Sequence, residues 1–461
     1  MKNLNNSKLI VSIISFISIA LLASLTLLKN IEKTEFFVDE TGWISTGYFY
    51  SNLLLKGDFE WQKWNCELHQ CGTFNSLYNP HVGQWLIGIP LKVFAAKGEQ
   101  EFFRLYDLEK SLEENKKEGK VPPDPILLRA RSVSVIIGTL CCLLIFAIGY
   151  YSNNLWIGSI SAILLIFNKL FITLSTQAMT DIPYNFFLLC ACLASIFLLR
   201  QSQLRYILLN SLLCGGFIGL SSSVKITGVL VGGLYFFLLL LYKKFVTNMK
   251  VNDAVKCLTA FSLSALFTIY IVNPYYWPSL KEISIKETIQ EVATYYKKSP
   301  ERKIQKENIS DEYPQLSNFS HVLEFPRMFL RVKRVGDAQY IKHKSAQWGE
   351  NRLRTFHETF RRVINNFPKE IYLLVLGVIL LGRKLINSIY RKKLSESAIP
   401  VLYFGANYVF ILLFMRVNWD RYYLPTVIAS KIIIAVGIYE GSRLILVLLR
   451  RSAKLISPQR Q

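Results

Sequence analysis

Acidic residues are in short supply in this sequence: 32 Asp and Glu stand against 54 Lys and Arg, leaving a formal net charge of +22. Such an excess points to nucleic acid only when the cations gather on one folded face. Here they sit in the gaps between apolar runs, a distribution that follows from membrane topology and not from a nucleic-acid partner. The chain has no glycine-rich nucleotide loop, no internal repeat and no low-complexity tract, which sets aside phosphate-cradling nucleotide chemistry and repeat architectures. Charge is also nearly absent from the interiors of the apolar runs, Lys431 being the main exception. A secondary transporter needs ionisable groups at mid-membrane, so this absence weighs against one.

What is present is apolar surface. Hydrophobic residues make up 51% of the 461 residues, too large a share for an ordinary soluble domain once it falls into long runs. Runs long enough to cross the hydrocarbon core recur at about 9–28, 132–151, 155–174, 183–199, 206–223, 225–242, 254–272, 370–386, 399–415 and 423–440. The first outlasts a signal-peptide core and lacks a small-residue cleavage site, so it reads as an uncleaved anchor. The fold class expected is therefore an all-α integral membrane protein with about ten transmembrane helices and two long extracytoplasmic segments, 29–128 and 273–368. Three regions follow: an N-terminal transmembrane module over 1–272, an extracytoplasmic region over 273–368, and C-terminal helices with a basic cytoplasmic tail over 369–461.

Orientation comes from the short loops. With the N-terminus inside, the segments around Arg200–Arg205, Lys243–Lys256, Arg383–Lys393 and Arg443–Lys454 are cytoplasmic and basic, while both long segments face out. In the first long segment, 42–55 and 83–95 read as amphipathic helices along the interface, and Glu109–Lys120 as a solvated linker. Six cysteines (Cys141, Cys142, Cys190, Cys192, Cys214, Cys257) lie in apolar runs and behave as small hydrophobes. Cys66 and Cys71 lie instead in a polar outer loop, where oxidising conditions favour a disulfide; with His69 they also offer a metal site lacking a fourth ligand. The sequons at Asn308 and Asn318 face the same side.

Several polar groups stand at outer span ends without a topological reason. Asp39 and Glu40, in FFVDETGW after the first run, offer a general base or a metal ligand, with helix capping by Asp39 as the plainer reading. Asn79 and His81 bracket Pro80 in YNPHVGQWL, where a lone histidine is more often structural. Asp181, two residues before Pro183, has the look of a helix N-cap. Lys225, in SSVKITG, is a cation kept on the outer face, suited to an anionic ligand or to lipid headgroups. NWDRYYLP, just after Arg416, adds Asp420 and Arg421, and a guanidinium can grip phosphate with two bonds.

The order of these motifs resembles the GT-C superfamily of membrane glycosyltransferases, in particular the protein O-mannosyltransferases and the aminoarabinose transferases that modify lipid A. The shared pattern runs through Asp39–Glu40, Asn79–Pro80–His81, Arg131–Thr139 (RSVSVIIGT), Thr180–Pro183, Val224–Gly228 (VKITG) and Arg421–Pro425 (RYYLP). His81 stands where that pattern has a second proline, and Asn79 where it has lysine or histidine. The resemblance implies transfer of a sugar from a polyprenyl-phosphate donor to a hydroxyl of a lipid, glycan or protein acceptor, on the outer face of a bacterial cytoplasmic membrane. It implies Asp39 and Glu40 as catalytic carboxylates, Lys225 and Arg421 as ligands of the donor phosphate, and a divalent metal as the one candidate cofactor. Asn79, His81 and Asp181 are further site candidates; a polytopic transporter or lipid-linked sugar flippase is the alternative.

Overall fold

A computed structural model describes residues 6–57, 80–107, 110–274, 369–414 and 420–456. Asn79, Cys66, His69, Cys71, Asn308, Asn318 and Arg416 lie outside these residues. Regular structure among them is helical throughout: α1 (Asn6–Ile31), α2 (Val38–Lys56), α3 (His81–Val93), α4 (Leu112–Lys117), α5 (Asp124–Ser152), α6 (Leu155–Ile166), α7 (Lys169–Ser175), α8 (Asp181–Arg200), α9 (Leu204–Ser222), α10 (Thr227–Thr247), α11 (Val251–Ile271), α12 (Lys369–Tyr390), α13 (Ala398–Phe414) and α14 (Leu424–Ile456), the last preceded by a 3-10 turn at Asp420–Tyr423. Eight of the described helices are long and apolar enough to cross a bilayer, α6 with α7 makes a ninth candidate, and α13 is apolar but shorter. The chain is a multi-pass membrane protein. Its exposed large hydrophobics, dense along α1, α11 and α14, are the residues that such a protein turns to lipid.

The apolar run expected as one span over 155–174 is broken. Helices α6 and α7 meet at a 68° bend. Two capping asparagines explain it: Asn154 accepts from the Ile157 N–H at 3.0 Å to start α6, and Asn168 accepts from the Phe171 N–H at 3.0 Å to start α7. The bend delivers the chain to the turn 176–180, which lines the site described below. A second expectation, the solvated linker over Glu109–Lys120, is also corrected. Its described part folds: Ser111 Oγ accepts from the Glu114 N–H while Glu114 returns a bond to the Ser111 N–H, the reciprocal box that opens α4. Buried Asn115 then ties the segment down through the carbonyls of Asp107, Lys110 and Ser111.

Helices α2 and α3 occupy the two expected amphipathic stretches and pack on each other through glycine, because a Cβ on Gly88 would collide with the Gly47 carbonyl. The same device joins α12 to α14. A Cβ on Gly377 would strike the Ile433 carbonyl, and one on Gly437 the Leu373 carbonyl, so the two backbones touch. Gly437→Val is therefore expected to force the helices apart, at a cost of about 1–3 kcal/mol for overpacking. Thermal unfolding in detergent should show a clear drop in Tm; an unchanged Tm would mean that the crossing is not tight. Near this contact lies Lys431, the main exception expected among the span interiors, buried and paired with Glu370 at 2.7 Å.

At the end of the bundle reached by the C-termini of α8 and α10, buried Lys243 donates to the carbonyls of Leu198, Leu199 and Gln201. This cation satisfies the last carbonyls of α8 and complements its dipole. Arg200 pairs with Glu396 at 3.0 Å, and Tyr242 bonds Ser388 at 2.6 Å, fastening the α12–α13 connection to the same end. The six buried-run cysteines carry free thiols.

Candidate active site

Four charged side chains from distant parts of the sequence meet at the opposite end. Asp39 lies in the first turn of α2, Asp181 opens α8, Lys225 sits in the turn between α9 and α10, and Arg421 belongs to the 3-10 turn before α14. Arg421 Nη1 is 2.7 Å from Asp39 Oδ2, and Lys225 Nζ is 2.7 Å from Asp181 Oδ1. The two pairs are close enough to feel each other. Burial pushes the Lys225 ammonium below its ordinary pKa; Asp181 and Asp39 pull it back up, and Arg421 pushes it further down. The result is a four-membered cluster of alternating sign, with no net charge when all four groups are ionised. Arg421 also lies 6.0 Å from the ring centroid of Phe37 and 5.6 Å from that of Tyr422, which limits where the guanidinium can go.

The adjacent carboxylates Asp39 and Glu40 have different surroundings. The Asp39 side chain is 39% exposed and holds one cation at the mouth of the site. Glu40 is 0% exposed and accepts four hydrogen bonds: two from Arg131 at 2.8 Å, one from the Ala178 N–H at 2.8 Å and one from the Phe37 N–H at 2.9 Å. The helix-capping role considered for Asp39 thus falls to Glu40, which reaches back to the N-cap residue Phe37. Asp181 is not a cap either: its Oδ1 takes Lys225, and the N-cap position is Thr180.

Arg131 is the residue that motif reading passed over. It is buried, and besides Glu40 it donates to the carbonyls of Ile31, Thr34 and Glu35. One guanidinium therefore holds the exit of α1, the start of α2 and, through Glu40, the 176–180 turn. The sequence signal for it is its place at the head of RSVSVIIGT, just before the second apolar run.

His81 opens α3, buried, with its ring centroid 4.3 Å from that of Tyr50 and 6.0 Å from that of Trp85. Burial holds its pKa down to about 3, so the imidazole is neutral at ordinary pH. Among the described residues no group of three His, Cys, Asp or Glu side chains is placed to hold a metal ion. Asp39 and Asp181 each face a protein cation.

Residues 106–277 match the family model described as dolichyl-phosphate-mannose-protein mannosyltransferase, a stretch that includes Arg131, Asp181 and Lys225 but neither Asp39 nor Arg421. No curated protein matches the chain by sequence. Among solved structures, the Archaeoglobus fulgidus oligosaccharyltransferase in its apo form superposes over 97% of this chain and 52% of its own, at 13% identity and a TM-score of 0.50. ArnT from Cupriavidus metallidurans bound to undecaprenyl phosphate superposes over 96% of this chain and 64% of its own, at 11% identity and a TM-score of 0.49. The S. cerevisiae Pmt1-Pmt2 complex bound to the sugar donor covers 59% and 33%, at 15% identity and a TM-score of 0.41. The chain thus spans less than two thirds of the length of each of these proteins. In fold this chain is similar to the Archaeoglobus fulgidus oligosaccharyltransferase, and over residues 106–277 its sequence matches the model of the dolichyl-phosphate-mannose-protein mannosyltransferase family.

Proposed function

We propose that the chain is a glycosyltransferase that moves a sugar from a polyprenyl-phosphate donor to an acceptor hydroxyl. The observation that carries this reading is the pairing of two anions with two cations at one end of the bundle, Asp39 with Arg421 and Asp181 with Lys225. Asp39, the exposed carboxylate, takes the proton of the acceptor hydroxyl as that oxygen attacks the anomeric carbon. The bond from that carbon to the phosphate oxygen breaks, and the polyprenyl phosphate leaves with one more negative charge than the donor phosphodiester carried. Lys225 and Arg421 meet that added charge, so they stabilise the departing group more than the bound donor. For this Arg421 exchanges Asp39 for phosphate, which frees Asp39 to act as base, while Lys225, with three N–H donors, keeps Asp181 and reaches the phosphate as well. Glu40 and Arg131 are positioning residues in this scheme, because their hydrogen bonds hold the α2 start that carries Asp39.

The basic segments at the other end support a site on the extracytoplasmic face under the positive-inside rule, and the cytoplasmic membrane of a bacterium is the membrane we infer. Residues 1–272 then supply most of the catalytic module, 273–368 form the outer region, and 369–461 complete the site through Arg421. Donor kinetics test the phosphate assignment. Lys225→Ala and Arg421→Ala should each raise the donor KM and lower kcat while leaving acceptor KM nearly unchanged, and Arg421→Lys should be milder because it keeps charge but loses the fork. Because Lys225 sits below the ordinary lysine pKa, its positive charge is present at low pH and lost as pH rises through that depressed value. Donor affinity should therefore fall on the alkaline side, and Lys225→Arg should push that fall to higher pH. Normal donor kinetics in both alanine variants would reduce these residues to interfacial anchors.

A further inference from the structure

Beside the charged cluster, four chain segments close around His81. The Val82 N–H donates to the Ser223 carbonyl at 3.2 Å, and Asn273, just past α11, donates Nδ2 to Ser223 Oγ at 2.8 Å. Gly83 faces the turn before α8, since a Cβ there would meet Thr180 Cγ2 at 2.6 Å and Val224 Cγ1 at 3.2 Å. Lys225 ties the same turn through Asp181. The start of α3, the Thr180–Asp181 turn, the Ser223–Lys225 turn and Asn273 are thus one wall, continuous with the cluster.

Polar atoms of this wall lack partners among the described residues: Nδ1 and Nε2 of His81, Oγ1 of Thr180, Oδ2 of Asp181 and Oδ1 of Asn273. None of the four residues is more than 3% exposed. Each buried polar group left unpaired costs about 1–3 kcal/mol, and folded proteins keep few of them. Their concentration on adjoining segments calls for a ligand that both donates and accepts. A neutral imidazole supplies one donor and one acceptor, a hydroxyl supplies both, and the carboxylate and amide oxygens accept. A sugar ring, whose hydroxyls each donate and accept, is complementary to such a set. The charge is already matched, with Asp181 facing Lys225, so a further ammonium or carboxylate on the ligand would bring in an unpaired charge.

We infer that His81, together with Thr180, Asp181 and Asn273, binds the hydroxyls of a neutral sugar carried on the donor. This rests on the glycosyl-transfer reading and deepens it by assigning the sugar's side of the site. The test uses the full chain in nanodiscs, with direct binding of undecaprenyl phosphate bare and bearing mannose, glucose or aminoarabinose. His81→Phe keeps a ring between Tyr50 and Trp85 but removes both nitrogens, and Thr180→Val keeps the methyl group near Gly83 but removes the hydroxyl. Each variant should weaken a mannose- or glucose-bearing lipid, His81→Phe by about tenfold for the loss of one or two hydrogen bonds. Both should bind the bare lipid as the wild type does, which also shows that they are folded. Equal weakening of bare and sugar-bearing lipids, or no weakening of either, would overturn the inference. A wild-type protein that binds the bare lipid but neither neutral-sugar lipid would overturn it alone, as would a His81 effect confined to aminoarabinose. A wild-type protein that binds no undecaprenyl phosphate at all would overturn the glycosyl-transfer reading with it.

Discussion

Asp39→Asn is expected to lower turnover by about 10²- to 10⁴-fold, the usual contribution of a positioned general base. Donor binding should survive, because the substitution leaves Lys225 and Arg421 in place. The amide competes less for Arg421 than the carboxylate did at 2.7 Å, so donor affinity should hold or rise while kcat collapses. A loss confined to kcat is the mark of an interaction made in the transition state. Single-turnover measurement with saturating donor separates the two effects. Wild-type turnover by the Asn variant would remove Asp39 from the chemistry.

The second large effect is expected at Arg131. Its guanidinium is 3% exposed and Glu40 is 0% exposed, so Arg131→Met leaves a buried carboxylate facing two backbone N–H groups without its cation. Breaking a buried pair from one side costs about 3–5 kcal/mol. Three backbone carbonyls that Arg131 now satisfies lose their donor as well. We expect a low yield of folded protein and a large drop in Tm, with activity lost because the start of α2 no longer holds Asp39. Glu40→Gln keeps the shape and should be milder. Adding Glu40→Leu to Arg131→Met should recover only the part of the stability lost to the uncompensated carboxylate, without recovering activity, which separates the energetic role of the pair from its positioning role. Single variants as stable as the wild type would mean that the pair is not structural.

The helices were legible because a bilayer imposes length and composition, and each expected apolar run falls on a helix or a helix pair. Two local features were misread although their signals were in the sequence. Asn168 could have announced the break between α6 and α7, and Ser111 followed three residues later by Glu114 could have announced α4. The site divides differently. That Asp39, Asp181, Lys225 and Arg421 belong together was suggested by their positions at span ends. Their pairing was not legible, because partners as distant as Asp39 and Arg421 are joined only by the tertiary fold. The separation of Asp39 from Glu40 was hidden for a related reason. Neighbours on a helix point about 100° apart, and which one faces inward depends on Arg131, 91 residues away. Asp181 looked like a cap because Asp before a proline in a first turn usually is one; the competing partner, Lys225, lies 44 residues on.

The measurement that bears most directly on the central claim is release of free undecaprenyl phosphate from sugar-bearing undecaprenyl phosphate by the purified chain in proteoliposomes supplied with membrane acceptors. The account predicts that lipid phosphate appears in step with sugar transferred to an acceptor hydroxyl, that Asp39→Asn slows both by the same large factor, and that no nucleotide is needed. Movement of the intact sugar-bearing lipid across the bilayer without release of its phosphate, unaffected by Asp39→Asn, would contradict the account and favour a flippase.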